Sequence, residues 1–243
     1  MTLAIFAGKS IDTAISTDTN SGLQMSDSDF GSFSKTKFAV SLWFYRNSAV
    51  INNHNLMWLG QDSGGSNSGT TFILKFGANV APLEFIGYNG ASFVAEVNTL
   101  TTFAKDEQAW HHLLLHYDSA NATEANRVKI WIDGASDIEA SPTYPAQSVA
   151  LNTQSGKTSV GAGTSTGGGL NDPFGGDMYQ VAIFDNYLPD ISEVYNSGVQ
   201  SIYSVPNKHF FLPFDGVDLT KDAVLATNWT NVGAVTKTTN RPS

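Results

Sequence analysis

Residues 110–134 read WHHLLLHYDSANATEANRVKIWIDG, and this stretch decides the fold. Trp110 to Tyr117 alternates as a strand. Trp110, His112, Leu114 and His116 share one face; His111, Leu113, Leu115 and Tyr117 share the other. A polar loop follows, then a second strand from Val128 to Ile132. Asp133-Gly134 ends it with a strong hairpin signal, because a two-residue turn needs positive φ and Asp-Gly adopts it cheaply. The clustered histidines do not read as a metal site. His112 and His116 are roughly 13 Å apart at ~3.3 Å rise per residue, and the helical spacing that brings two histidines onto one zinc ion does not apply on a strand.

Strands recur on both sides of this pair. Phe38 to Tyr45 is apolar on both faces, which suits an inner strand. Leu56–Gly60, Thr71–Phe76, Leu83–Tyr88, Phe93–Val97, Thr158–Gly161 and Met178–Phe184 read as further strands, with Asn89-Gly90 as a turn. Asp137 to Val149 is irregular, and Asp27 and Asp29 fall in a polar, looped segment. Pro189 to Glu193 reads as the start of a short helix, with Asp190 and Glu193 spaced as a capping box and Gly198 as the stop.

Two motifs resemble laminin-G-like domains of the concanavalin A-like lectin/glucanase type. One is the central Trp-His-His, apolar strand, Tyr-Asp, loop, strand, Asp-Gly of residues 110–134. The other is the closing run from Phe174 to Leu188, FGGDMYQVAIFDNYL, before the helix. The resemblance spans roughly residues 20–200 and implies an all-β, two-sheet antiparallel jelly-roll sandwich with one short helix near 190–197. We expect one domain over residues 1–243, its terminal extensions (about 1–20 and 205–243) packing on or completing the sandwich. The same fold carries lectins, adhesins, hydrolases and purely structural modules, so function has to be argued from the site.

Composition narrows the choice. The net charge is −9 with 13 basic against 22 acidic residues, and there is no basic cluster. Such a chain repels polyanions, so neither nucleic acid nor an anionic membrane surface is an expected partner, and no apolar run is long enough for membrane insertion. There is no cysteine, hence no disulfide or thiolate site. The segment MTLAIFAGKS lacks the charge and apolar pattern of a signal peptide.

The expected hydrolase constellation is missing. The resemblance implies Glu-x-Asp-x-x-Glu on a strand for the glycan hydrolases of this fold; Asp137-Ile-Glu139 comes nearest and lacks the third carboxylate. Asp106 and Glu107 are adjacent and would point apart. The glycines from Gly161 to Gly169 lack the Gly-Lys-Ser/Thr of a phosphate loop. We therefore expect no enzyme. A glycan site would use an aromatic platform beside amides and a carboxylate, and Trp58, Asp62, Tyr88 and Asn89 supply those types. The resemblance also implies Ca²⁺ at a sheet rim; Asn171, Asp172 and Asp177 offer oxygen ligands, with Asp62/Asn67 and Asp118/Asn121 as further pairs.

The first expectation is a non-enzymatic structural or adhesion module of a viral particle, such as a bacteriophage capsid decoration, fibre or tail protein. It would be made in the host cytoplasm without a signal peptide and sit on the virion exterior. Its partners would be other virion subunits, copies of itself or host-surface glycans; Leu3–Phe6 and Phe210–Phe214 are read first as ordinary edge strands and second as contact segments. The alternative is a stand-alone carbohydrate-binding lectin module; a glycan hydrolase comes third.

Overall fold

A computed structural model describes residues 10–12, 21–46, 54–60, 67–77, 80–104, 108–165, 167–198, 202–214, 220–225, 227–232 and 235–238. In chain order the elements are β1 (Ser10–Asp12), β2 (Gly22–Ser26), α1 (Asp27–Phe30), β3 (Lys37–Arg46), β4 (His54–Leu59), β5 (Phe72–Phe76), β6 (Ala81–Asn89), β7 (Ser92–Phe103), β8 (Trp110–Asp118), β9 (Val128–Ile132) and β10 (Ala135–Ser136). They continue with β11 (Lys157–Val160), β12 (Gly163–Thr164), β13 (Leu170–Asn171), β14 (Gly176–Asp185), α2 (Ile191–Val194), β15 (Lys208–Leu212), β16 (Thr230–Val232) and β17 (Thr236–Thr238).

The chain is the expected antiparallel jelly-roll sandwich. One sheet runs β10-β9-β8-β3-β14-β1-β17, with β15 also on β14; the other runs β16-β2-β11-β4-β5-β6-β7. β3 lies between β8 and β14, as its two apolar faces require. Phe38, Val40, Leu42 and Phe44 point into the core between the sheets, where they meet Leu59, Phe72, Leu74, Phe76, Leu83 and Phe85 of the opposite sheet. Asp133 and Gly134 take φ of 50° and 83°, the paired positive values their turn demands.

The outer face of the first sheet is covered as well. Ala39, Leu114, Ala182 and Phe184 are buried there beneath Val194, Ile202, Val205 and Phe211. α2 is shorter than the sequence suggests and ends at Val194, not near 197. Tyr195 is extended (φ −145°, ψ 128°) and turns inward, its ring 5.4 Å from His112 and 5.7 Å from Trp43. That stacking ends the helix before Gly198 can. The Glu193 carboxylate does accept the Asp190 N–H at 2.7 Å, one half of the capping box.

Two segments differ from expectation. Asp27 and Asp29 form a helical turn, α1, started by Ser26, whose Oγ accepts the Asp29 N–H at 3.3 Å. Phe210–Phe214 follows the strand-pairing reading and not that of an exposed contact segment: Phe210, Phe211, Leu212 and Phe214 are buried and Phe210–Leu212 pairs with β14. Leu3–Phe6 lies outside the described residues. β7 is longer than Phe93–Val97, and its edge is closed by the irregular segment after β10. Thr143 exchanges backbone hydrogen bonds with Glu96 at 2.8 and 2.9 Å. Asp137 Oδ1 accepts the N–H groups of Leu100 (2.6 Å) and Thr101 (3.0 Å). A long open edge would invite strand addition, and this segment blocks it.

Candidate functional site

Alternation along the second sheet sends one set of residues into the core and a complementary set outward. The outward set forms rows across neighbouring strands. Trp58 is opposite Ile73, Ile73 opposite Ile86, and Ile86 opposite Glu96. In the next row Asn55 is opposite Lys75, Lys75 opposite Glu84, and Glu84 opposite Asn98. An aromatic-aliphatic row therefore runs beside a polar row. Strands lie ~4.8 Å apart and alternate residues ~6.8 Å along the chain, so the two rows form one patch.

Asn55 joins Trp58 on this face only because of a β-bulge between Asn55 and Met57. Three residues apart, the two would otherwise point to opposite sides. The Trp58 ring is half-buried, and its Nε1 donates to Thr70 Oγ1 at 3.3 Å.

The β12–β13 hairpin supplies the flank. Pro173 bridges to Asn55, and the Asp172 carbonyl accepts both the Asn55 backbone N–H (3.2 Å) and its Nδ2 (3.1 Å). Gly163 marks the point of convergence. A Cβ there would lie 2.4 Å from Asn171 Oδ1, 2.8 Å from Asn55 Nδ2 and 3.0 Å from Trp58 Cε3. Only glycine permits that approach. Lys75 Nζ pairs with Glu84 Oε2 at 3.3 Å. Burial raises the Asp172 carboxyl above its ordinary range, and Lys75 opposes the shift. Asn55 Oδ1, Asn98 Oδ1 and Asn171 Oδ1 are buried and find no hydrogen-bond donor among the described residues.

The residues singled out from sequence are distributed as follows. Trp58 and Tyr88 share the outward face: Tyr88 stands two residues beyond Ile86, 8% exposed, opposite Phe93, which is 55% exposed. Asn89 sits at the hairpin, where its Nδ2 donates to the Ala150 carbonyl at 2.8 Å. Asp62 lies outside the described residues. Asn171 and Asp172 stand together beside Asn55, whereas Asp177 is buried in the other sheet, opposite Tyr45 and Asp12. Asn121 Oδ1 accepts the Thr123 N–H at 3.0 Å and its N–H donates to Asp118, an ordinary turn. Among the described residues, no three histidines or carboxylates gather closely enough to hold a metal ion.

Elsewhere the chemistry-bearing side chains have structural duties. Asp137 and Glu139 hold the β7 edge, the latter through its Oε1 and the Asn98 N–H at 3.1 Å. His112 Nε2 shares a 3.0 Å hydrogen bond with Ser41 Oγ, and burial pushes its pKa down to about 3 against a weaker upward pull from Asp133. His116 Nε2 donates to the Pro189 carbonyl at 3.0 Å, and burial lowers its pKa to about 4. His111 Nδ1 pairs with Asp133 Oδ2 at 2.7 Å and its ring packs on Phe44 and Phe103. An open groove of about 320 Å³ lies beside this pair, lined in part by Leu100, Phe103, Ile132 and Ser136. Both of its carboxylates, Asp133 and Asp137, are already engaged by histidine or backbone N–H groups.

Sequence reasoning missed Asn55, Lys75, Glu84 and Asn98. The alternation of β5 and β6 was enough to place Lys75 and Glu84 outward. Nothing local marks the bulge that brings Asn55 round.

The family model for the concanavalin A-like lectin/glucanases superfamily matches residues 17–190. The chain belongs to this superfamily. No curated protein matches the sequence. Among solved structures, the superfamily chain is similar to a putative carbohydrate-binding protein from Bacteroides ovatus, with 15% identity and a TM-score of 0.62. The match covers 97% of this chain and 61% of that one. It is also similar to the heptameric SAP-like pentraxin of Limulus polyphemus, with 13% identity, a TM-score of 0.54, and 87% and 94% of the two chains covered. A third is the CBM40 domain of the Ruminococcus gnavus IT-sialidase bound to α2,6-sialyllactose, with 14% identity, a TM-score of 0.50, and 75% and 95% covered. At these identities the likeness is one of fold.

Proposed function

We propose that this chain is a non-catalytic carbohydrate-binding module whose ligand lies on the outward face of β4–β7, stacked on Trp58. One observation carries the reading: a half-exposed indole meets two asparagines, Asn55 and Asn171, whose carbonyl oxygens have no partner among the described residues. A sugar ring has apolar C–H faces and hydroxyl edges. Trp58 and Ile86, with the buried Ile73 between them, suit the first; Lys75, Glu84 and Asn98, with Asn55 buried at their end, suit the second. Each buried carbonyl left unpaired costs about 1–3 kcal/mol, and a ligand hydroxyl recovers it once the side chains over these closed-off oxygens turn aside.

The viral-particle module expected first draws no support from the fold or from the similar structures. Those include carbohydrate-binding proteins, which favours the lectin alternative. A hydrolase is disfavoured because Asp137 and Glu139 are committed to the backbone of β7.

A glycan array, followed by calorimetric titration of the best ligand, tests the proposal. Trp58→Ala should abolish or weaken binding at least tenfold while leaving the circular dichroism spectrum unchanged. A Trp58→Ala protein that keeps full affinity would refute this site, and an array with no signal at high protein concentration would refute the function.

A further inference from the structure

We infer that the Trp58 face selects neutral, hydroxyl-donating glycans and rejects acidic ones; the inference rests on the glycan-binding reading above. The charges on the face come first. One ammonium, Lys75, is held by Glu84 at 3.3 Å and also feels the Asp172 carboxylate. Glu96 continues the row that begins at Trp58. Among the described residues of the patch, three carboxylates therefore face two lysines: Lys75, held by Glu84, and Lys157 of β11, whose Nζ donates to Gln24 Oε1 at 2.9 Å. A sialic acid, uronic acid or sulfate arriving here meets a face whose carboxylates outnumber its ammoniums.

Hydrogen-bond polarity points the same way. The unpartnered side-chain atoms of the patch are carbonyl oxygens, those of Asn55, Asn98 and Asn171, which lie just beneath its surface and meet a ligand when the side chains over them turn aside. The orientation of Asn55 is fixed, because its Nδ2 donates to the Asp172 carbonyl at 3.1 Å. Its Oδ1 must then accept. A hydroxyl can donate to such an oxygen; a carboxylate or sulfate group is acceptor-only and cannot. Specificity of this kind comes from a built-in repulsion as much as from attraction.

Matched oligosaccharide pairs test this, for example lactose-terminated chains and their sialylated or sulfated forms. Neutral members should bind at least tenfold more tightly than acidic ones, about 1.4 kcal/mol, with binding lost in Trp58→Ala. Glu84→Gln and Asp172→Asn, which release Lys75 from its carboxylates, should narrow the gap by several fold, and low salt should not favour the acidic members. If acidic glycans bind as tightly or more tightly, and still through Trp58, the selectivity is overturned and the glycan-binding reading stands. If no binding depends on Trp58, both are overturned.

Discussion

Lowering the pH should destabilise the protein through two rings of its most telling sequence stretch, His112 and His116. His112 is fully buried, and its folded pKa is about 3 against an ordinary 6.5. The folded state refuses a proton that the unfolded chain accepts. Its contribution is therefore complete above pH ~6.5 and is lost as the pH falls toward 3. At pH 4.5 the unfolded histidine is almost wholly protonated and the folded one almost wholly neutral, a difference of about 2 pH units or roughly 2.7 kcal/mol at ~1.36 kcal/mol per unit. His116, lowered to about 4, loses nearly as much over the same interval. Together they remove about 5 kcal/mol, comparable to the whole stability of many domains. His112→Gln isolates one share, since Gln stays neutral and still reaches Ser41 Oγ by hydrogen bonding. Urea unfolding at pH 7, 6, 5 and 4.5 gives the measurement. The variant starts lower at pH 7 through poorer packing under Tyr195. Its loss between pH 7 and 4.5 should be smaller than that of the wild type by about 2–3 kcal/mol. Parallel pH curves for the two proteins would show that His112 is not the buried neutral group described here.

Three further outcomes are expected. In Gly163→Ala the new methyl would sit 2.4 Å from Asn171 Oδ1 and 3.0 Å from Trp58 Cε3, so Asn171 and the indole must shift; calorimetry should show glycan affinity down about tenfold with a melting temperature changed by only a few degrees. Lys35 Nζ sits 3.3 Å over the Phe33 ring, has no acceptor among the described residues, and is lowered by burial to about 7. Because the folded value lies below the ordinary 10.5, the penalty is full below pH 7 and fades as pH rises toward 10.5. Lys35→Met should thus stabilise by about 2 kcal/mol at pH 6 and by less at pH 9, read from urea midpoints. Asp137→Ala strands the N–H groups of Leu100 and Thr101 and should cost about 2–3 kcal/mol with no change in glycan binding; a loss of binding without a loss of stability would give that carboxylate a functional role instead.

The sandwich was legible wherever periodicity and turn chemistry agreed. β3, β8, β9 and β14 alternate cleanly, and Asp133-Gly134 states its own turn. β2 was hidden because its five residues, Gly22 to Ser26, carry only two large apolar side chains, Leu23 and Met25, in a polar neighbourhood. The helix after Pro189 was visible by its cap, but its end was not. Tyr195 leaves it for a tertiary stack that no local rule contains. The site shows the same division. The shared side of Trp58 and Tyr88 follows from alternation on two strands that pair through β5. The roles of Asn55 and Asn171 do not follow, because one needs a bulge and the other a hairpin laid across a strand distant in sequence. Asn89 has the right chemistry and the wrong commitment, since the Ala150 carbonyl occupies its amide.

The two sheets divide labour, and the division explains why the histidines mislead. Both sheets spend one face on the common core. The outer face of the β3 sheet is spent too, under α2 and the chain that follows, with Leu114, Ala182, Phe184 and Phe211 almost fully buried. Anything chemical on that face, the Ser41–His112 pair included, is sealed from a ligand. The outer face of the β4–β7 sheet keeps Trp58, Lys75, Glu84, Ile86 and Asn98 half-exposed. A saccharide needs a rigid apolar surface with polar groups at fixed offsets, and adjacent strands in register provide both without any loop having to be ordered on binding. The surface that looks least eventful in sequence, an alternation of Ile, Lys, Glu and Asn, is therefore, among the described residues, the outer sheet face to which the proposed ligand is assigned.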